Sequence, residues 1–405
     1  MTMDPDAGRP RPSLTPPAFP SPLAQPSVGA PSAIPVVGTI PAEVPVSPRK
    51  GRSAPIWALG ILVVILIGLV AYFLNAIGPA ASLVGMVLAL VPLAGVLVAV
   101  RLVDRWEPEP RGLVVFAVAW GAVAAVGIAL GVDLALSVVF GADSLFDSSF
   151  VSGVIQAPVV EEVAKGLGVF ILFVSARRAF DGPVDGVVYG ALIGAGFAFT
   201  ENIQYFAISF VEGGAADTSV TFFVRGILSP FAHVMFTSIT GFALGLAARR
   251  GATAGAAFGP WLLGLTGAIA LHALWNGSAV LGDFFALYWT LQVPLFAAFI
   301  LGVIALRREE ARLTRARLGD YADAGWFTPQ EADMLATPAG RKAALAWAGT
   351  LRGDRRDTMR GFITDATALA AARQRAMTGR DPHASVDEKL LLTRTAAARA
   401  ALFAP

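Results

Sequence analysis

The sequence predicts an all-α, polytopic membrane protein of about eight transmembrane helices, with a small cytoplasmic helical tail. Three observations carry this prediction. Hydrophobic residues make up 55% of the chain and charged residues only 15%, whereas a soluble domain carries about 25% charged residues. The apolar excess falls in runs between Trp57 and Leu306, each close to the roughly 20 residues a helix needs to cross about 30 Å of hydrocarbon. The polar junctions between the runs also alternate in sign.

Residues 1–54 read as a disordered, Pro-rich cytoplasmic tail. They hold about half of the 27 prolines, mixed with Ser, Ala and Gly, and have too little apolar surface to build a core. The first apolar run begins only near Ile56, which argues against a signal peptide. The membrane region, residues 55–306, divides into spans of roughly 56–77, 80–103, 112–140, 151–176, 184–211, 222–248, 255–281 and 284–306. Arg101, Arg105 and Arg111 lie in the second loop, Arg177 and Arg178 in the fourth, and Arg249 and Arg250 in the sixth. Arg307 and Arg308 follow the last span. The intervening loops carry Asp133, Asp143, Asp147, Glu212, Asp217 and Asp283. By the positive-inside rule both termini are cytoplasmic, in a multi-pass protein of the cell membrane.

Residues 307–405 are Ala-rich and charged, with 17 basic against 12 acidic residues. They read as a cytoplasmic helical tail with breaks near Pro329, Pro338, Gly353 and Gly379–Pro382. Their basic excess could meet anionic lipid or nucleic acid, but no nucleic-acid motif accompanies it, and no nucleic-acid partner is expected. The chain has no cysteine, which excludes disulfides, thiolate metal sites and a cysteine nucleophile.

The chemistry lies in ionisable groups inside the spans. A charge at the bilayer centre costs on the order of 3 kcal/mol, so such residues face the bundle interior and mark function. The fourth span holds Pro158, Glu161, Glu162 and Lys165, the fifth holds Glu201 and Asn202, the sixth His233, and the seventh His272 and Asn276. Glu161 and Lys165, like His272 and Asn276, are four apart and share a helix face. In spans of alternating direction, Glu161, Glu201, His233 and His272 each lie about ten residues from the outer end. At 1.5 Å per residue this places all four roughly 15 Å below the outer surface, the pattern of one site opening outward.

Such a set suits activation of water. One glutamate can act as general base with Lys165 as its charge partner and Glu162 beside it, while a histidine or Asn276 donates to the oxyanion. Alternatively, Glu201, His233 and His272 could hold zinc, with an open position for water and Glu161 as base. A transporter or proton relay would use similar intramembrane Glu and His residues. Transporters, however, tend to show inverted repeats and paired helix breaks, and Pro158 is the sole candidate break. A catalytically dead scaffold is the third alternative. Arg225, near the outer end of the sixth span, could meet a substrate, but reads rather as an interfacial residue whose head snorkels to water.

Glu161-Glu162-Val-Ala-Lys165 resembles the EExxK motif of the PrsW family of intramembrane proteases. Phe197 to Glu201 is similar to its FxxxE motif, His272 to Asn276 to its HxxxN motif, and His233 to the histidine of the intervening span. Arg105-Trp-Glu-Pro-Glu-Pro-Arg111 and Asp181-Gly-Pro-Val-Asp185-Gly resemble loops of bacterial members. The resemblance spans about residues 85–306. It implies a membrane-embedded endopeptidase distantly related to the type II CAAX prenyl proteases. Those carry EExxxR and a histidine where this chain has EExxK and Glu201, which argues against prenylated substrates. Membrane-protein substrates, among them single-span anti-sigma factors, are what the resemblance implies.

Overall fold

Every described element is a helix, and no strand occurs among the described residues. The computed structural model describes residues 56–105, 107–141, 148, 150–280 and 283–403. The Pro-rich tail 1–54 lies outside them, as do Trp106, Asp143 and Asp147. The chain divides into two compact units, Lys50–Ile304 and a second drawn from Ala305–Pro405.

In the first unit α1 spans Ile56–Tyr72, α2 Pro79–Val103, α3 Arg111–Ala119, α4 Val126–Phe140, α5 Ala157–Ser175, α6 Pro183–Phe222, α7 Ala232–Arg249, α8 Ala254–Val280 and α9 Phe284–Leu287, while α10, Val293–Asp323, begins in it and belongs to the second unit from Ala305 on. Wider π-turns join or precede several of them, at Trp120–Ala125, Val151–Gln156 and Phe223–Leu228. Such turns are rare and concentrate at functional sites. Pro158 falls in the first turn of α5, directly after the π-turn Val151–Gln156.

Among the described residues, six stretches are long and apolar enough to cross a membrane: Gly60–Ile77, Pro79–Val103, Arg111–Phe140, Pro183–Arg249, Ala254–Val280 and Phe284–Asp323. The expectation of eight differs from these six in two places. Val151–Ser175 concentrates Glu161, Glu162 and Lys165 in little more than one turn. Pro183–Arg249 forms one helical run, with a non-helical break at Gly214 (φ 62°). Asp133, grouped above with loop carboxylates, lies inside α4.

The central helix is α6, packed against α2, α7 and the π-turn after α3. Small residues bring the backbones together, the usual solution where lipid removes any hydrophobic drive between helices. A Cβ at Gly186 would run into the Gly241 carbonyl, and one at Gly194 into the carbonyl of His233. The α6–α7 approach therefore sets how near Glu201 comes to His233. On the helix ends that carry the arginines, Glu109 accepts from the Tyr189 hydroxyl at 2.6 Å, and Phe180 stacks on that ring at 5.6 Å. This gives the Glu-Pro-Glu-Pro segment a structural task, fastening α6.

The second unit contains α11 (Pro329–Ala336), α12 (Pro338–Thr350), α13 (Arg356–Thr378) and α14 (Ala384–Leu402). Thr328 caps α11 in a capping box with Glu331, and Thr337 caps α12. Gly379, at φ 67°, ends α13 in the left-handed conformation that glycine adopts freely. Leu318, Tyr321, Leu335, Phe362 and Leu369 are fully buried. Charged residues are buried with them as pairs: Arg399–Glu331 at 2.5 Å, Arg373–Glu388 at 3.3 Å and Arg394–Asp365 at 3.0 Å. Tyr321 donates to Glu388 at 2.6 Å, and burial raises its hydroxyl pKa.

Candidate active site

On α5, Glu161 and Glu162 stand four and three residues before Lys165, so both carboxylates reach its ammonium. Lys165 Nζ lies 2.6 Å from Glu162 and 3.3 Å from Glu161. Its third partner comes from α7, His233 Nδ1 at 3.1 Å. An ammonium has three N–H donors and no acceptor, so Lys165, fully buried, spends all three protons on the site. Its charge also lies 4.0 Å above the centre of the Phe197 ring.

These contacts fix the proton on each imidazole. Because Lys165 can only donate, His233 Nδ1 accepts. The ring proton is then on Nε2 and is donated to Glu201 at 2.8 Å. His272 lies with Nδ1 3.1 Å from Glu162, so that nitrogen donates and Nε2 keeps its lone pair. The unprotonated nitrogens, His233 Nδ1 and His272 Nε2, lie 3.9 and 4.0 Å from one Glu161 oxygen. Phe236 stacks on the His272 ring at 4.6 Å and holds its plane.

Glu161, His233 and His272 are thus gathered with one ligand atom each within 4.8 Å of one another, a buried set that could hold a metal ion. The donor chemistry fits. His272 has its free Nε2 near Glu161, the Nδ1 of His233 lies near it too but accepts from Lys165, and the other nitrogen of each ring is held by a carboxylate, the arrangement that orients histidines on metals. Lys165 would have to release the Nδ1 lone pair of His233. The set differs from the one read in the sequence, which took Glu201 as the carboxylate ligand. Glu201 instead pairs with Arg225 and takes the far nitrogen of His233. Asn276 donates to the Gly153 carbonyl at 2.8 Å, on the π-turn before α5.

A cavity of about 540 Å³ leads away from these groups. Glu161, Phe197, Glu201 and Tyr205 line one part; Asp133, Gly141, Ser152 and Gln156 line another. It therefore runs from the Glu/His cluster to the end of the bundle where α4 stops. Every charged residue lining it is acidic. Asp133 accepts from Gln156 at 2.7 Å, bridging α4 to the π-turn.

Three participants escaped the sequence reading. Thr237 donates to Glu162 at 3.0 Å, and a helical threonine carries no sign in sequence of facing a partner. Asp133 was taken for a loop carboxylate. Arg225 was taken for an interfacial residue, although a lone arginine in a stretch otherwise flanked by carboxylates was a signal.

Residues 109–299 match the model of the "PrsW family intramembrane metalloprotease". Among curated proteins, the chain is similar to "Protease PrsW" of Geobacillus kaustophilus, 31% identical over 36% of this chain and 58% of the relative. It is also similar to those of Oceanobacillus iheyensis (30%, over 29% and 53%) and Bacillus subtilis (31%, over 36% and 60%). The chain thus spans little more than half the length of the relatives it matches. No solved structure matches it.

Proposed function

The match of residues 109–299 to the PrsW family is the premise on which we propose that this membrane protein is an intramembrane endopeptidase, hydrolysing membrane-protein substrates with water activated at Glu161. The observation that carries this reading is the convergence at the inner end of the cavity. There one Glu161 oxygen meets two imidazole nitrogens that are not protonated. Such a cluster can take a proton from water placed among its members.

Glu161 accepts the proton as water adds to the scissile carbonyl, and returns it to the amine as the C–N bond breaks. Glu162 has a different task. It is fully buried and holds Lys165, Thr237 and the Nδ1–H of His272, fixing the ring that faces Glu161. Lys165 balances the carboxylates. Asn276, one turn after His272 on α8, supplies an amide donor for the oxyanion once it leaves Gly153. Zinc held by Glu161, His233 and His272 would instead supply a Lewis acid that polarises the substrate carbonyl and acidifies its water, with Glu161 as a ligand and not the base.

The substrate reading follows from depth. A site roughly 15 Å below the outer surface cuts only a chain that brings unpaired backbone there. Single-span proteins with a loose outer juxtamembrane segment, anti-sigma factors among them, meet that requirement. The arginine alternation places both termini in the cytoplasm. Cysteine at Ser148 should then react with an impermeant maleimide on intact cells, and cysteine at Ser175 should not. The function is tested by comparing terminal peptides from membranes carrying the wild type and Glu161→Gln. New ends in outer segments of membrane proteins, absent with Glu161→Gln, are expected. Identical sets of ends would overturn the protease reading and leave a transporter or scaffold.

A further inference from the structure

Arg225 stands against the charge pattern around it, an arginine in a region whose other charged residues, Glu212, Asp217 and Asp283, are acidic. A snorkelling arginine directs its head to water and lays its stem on apolar surface. Arg225 does the reverse. Its guanidinium turns onto α6, where it bonds Glu201, donates through Nε to Asn202 at 2.9 Å and lies 3.8 Å above the Tyr205 ring. The side chain is only 25% exposed. All three partners lie within five residues of α6, and Arg225 reaches them from the π-turn Phe223–Leu228.

The contact of consequence is shared. Glu201 Oε2 is held by Arg225 and, at 2.8 Å, by His233 Nε2. One oxygen therefore joins the guanidinium to the imidazole whose other nitrogen faces Glu161. The guanidinium is split between two partners, with Nη2 on Glu201 and Nε on Asn202, so it is itself anchored on α6 while it holds the carboxylate, whereas a lysine would supply only a point charge. Without that anchor, Glu201 can rotate, and the His233 ring loses the acceptor that holds its Nε2–H, leaving Lys165 alone to orient it.

We propose that Arg225 is a positioning residue that acts through Glu201, holding its carboxylate so that the His233 ring keeps its Nε2–H on Glu201 and its Nδ1 on Lys165, beside Glu161. The proposal rests on the protease reading above. It requires that Arg225 does not touch substrate, and that its removal changes turnover more than substrate binding.

The test uses full-length protein in liposomes with a single-span reporter substrate cut by the wild type. Arg225→Gln should lower kcat about 10- to 100-fold, the usual cost of removing a group that orients a ligand, with KM changed less than about twofold. Arg225→Lys should recover only part of kcat. Added guanidinium should raise the rate of Arg225→Ala and leave the wild type unaffected. Combining Arg225→Gln with Glu201→Gln should cost no more than Glu201→Gln alone. A raised KM at unchanged kcat would overturn the proposal and make Arg225 a substrate contact. Multiplicative losses in the double variant, or no guanidinium rescue, would also overturn it, leaving Arg225 a general fold contact. Glu161→Gln is assayed alongside. If it is inactive while Arg225→Gln is fully active, only the positioning role falls; if it keeps wild-type activity, the protease reading falls too.

Discussion

The membrane unit and the helical unit 305–405 both bury charged side chains, but they arrange them differently. In the helical unit the charges are dispersed. Arg399 holds Glu331, Arg373 holds Glu388, and Arg394 holds Asp365, each pair pinning one helix to another. In the membrane unit Glu161, Glu162, Lys165, Glu201, His233 and His272 join one network beside a cavity. Dispersed pairs satisfy one another and leave nothing for a ligand. A converged set contains more acceptors than donors, so lone pairs remain to receive a proton or a cation. Convergence, not burial, separates the two.

The comparison breaks most sharply on Glu161. Glu161→Gln keeps shape and removes the base, and should cut proteolysis by 10³-fold or more, about 4 kcal/mol of barrier, with unchanged unfolding. Activity within tenfold of wild type would mean that the converged set is another form of structural pairing. In the helical unit, Glu331→Ala should cost about 3 kcal/mol, because it removes the carboxylate partner of the buried Arg399, while Glu331→Leu with Arg399→Met should recover the part that is not the lost Thr328 cap. Proteolytic release of fragments from 305–405 during thermal unfolding reads this out, and activity in the membrane unit should not change. His272→Ala distinguishes the two mechanisms. Purified protein should lose about one equivalent of metal if the Glu161–His233–His272 set holds one. Full activity in rigorously metal-free wild type would leave the glutamate acting alone.

The smallest effect concerns Asp365. Burial raises its pKa above the ordinary 3.8, and Arg394 only partly opposes this. The folded unit therefore binds that proton more tightly than the unfolded chain does. Its contribution is fully present below the unfolded pKa and is lost as pH rises through the folded value. Asp365→Asn, which is neutral at every pH, should flatten the fall in melting temperature of this unit above pH 4, by less than about 1 kcal/mol after solvent screening. A steeper fall in the variant would reverse the assignment.

Much of this was legible in the sequence, and the limits have physical causes. Charged residues in apolar runs are costly wherever they point, so Glu161, Glu162, Lys165, Glu201, His233 and His272 stood out before any coordinates, and the structure brings all six together. Helix spacing fixed the partners of Lys165 on its own helix, since Glu161 and Glu162 lie four and three residues away. It could not say which carboxylate would face the histidines. That depends on how α5 and α6 are rotated about their axes, which is set by inter-helix contacts at Gly168 on α5 and at Gly186 and Gly194 on α6. Arg225 was misjudged for a related reason. An arginine near a helix end can turn outward or inward, and the π-turn it occupies has no sequence signature. Asp133 was misjudged because a carboxylate seven residues before a helix end resembles the loop charge that follows. The helix changes near Pro329, Pro338 and Gly353 were readable, because proline and glycine act through the backbone itself.

The glycine contacts between α6 and α7 also bear on how a polypeptide reaches the cluster. Where two backbones touch with no side chain between them, there is nothing to compress or repack, and the pair behaves as a fixed jaw. The opposite wall of the cavity is α4 and the π-turn before α5, joined at the Asp133–Gln156 hydrogen bond. That wall is held through side chains and not by touching backbones, so a polypeptide entering the cavity should meet less resistance there. Asp133→Ala, which removes the bond, should then raise the rate of cleavage, and an unchanged rate would show that this wall does not yield.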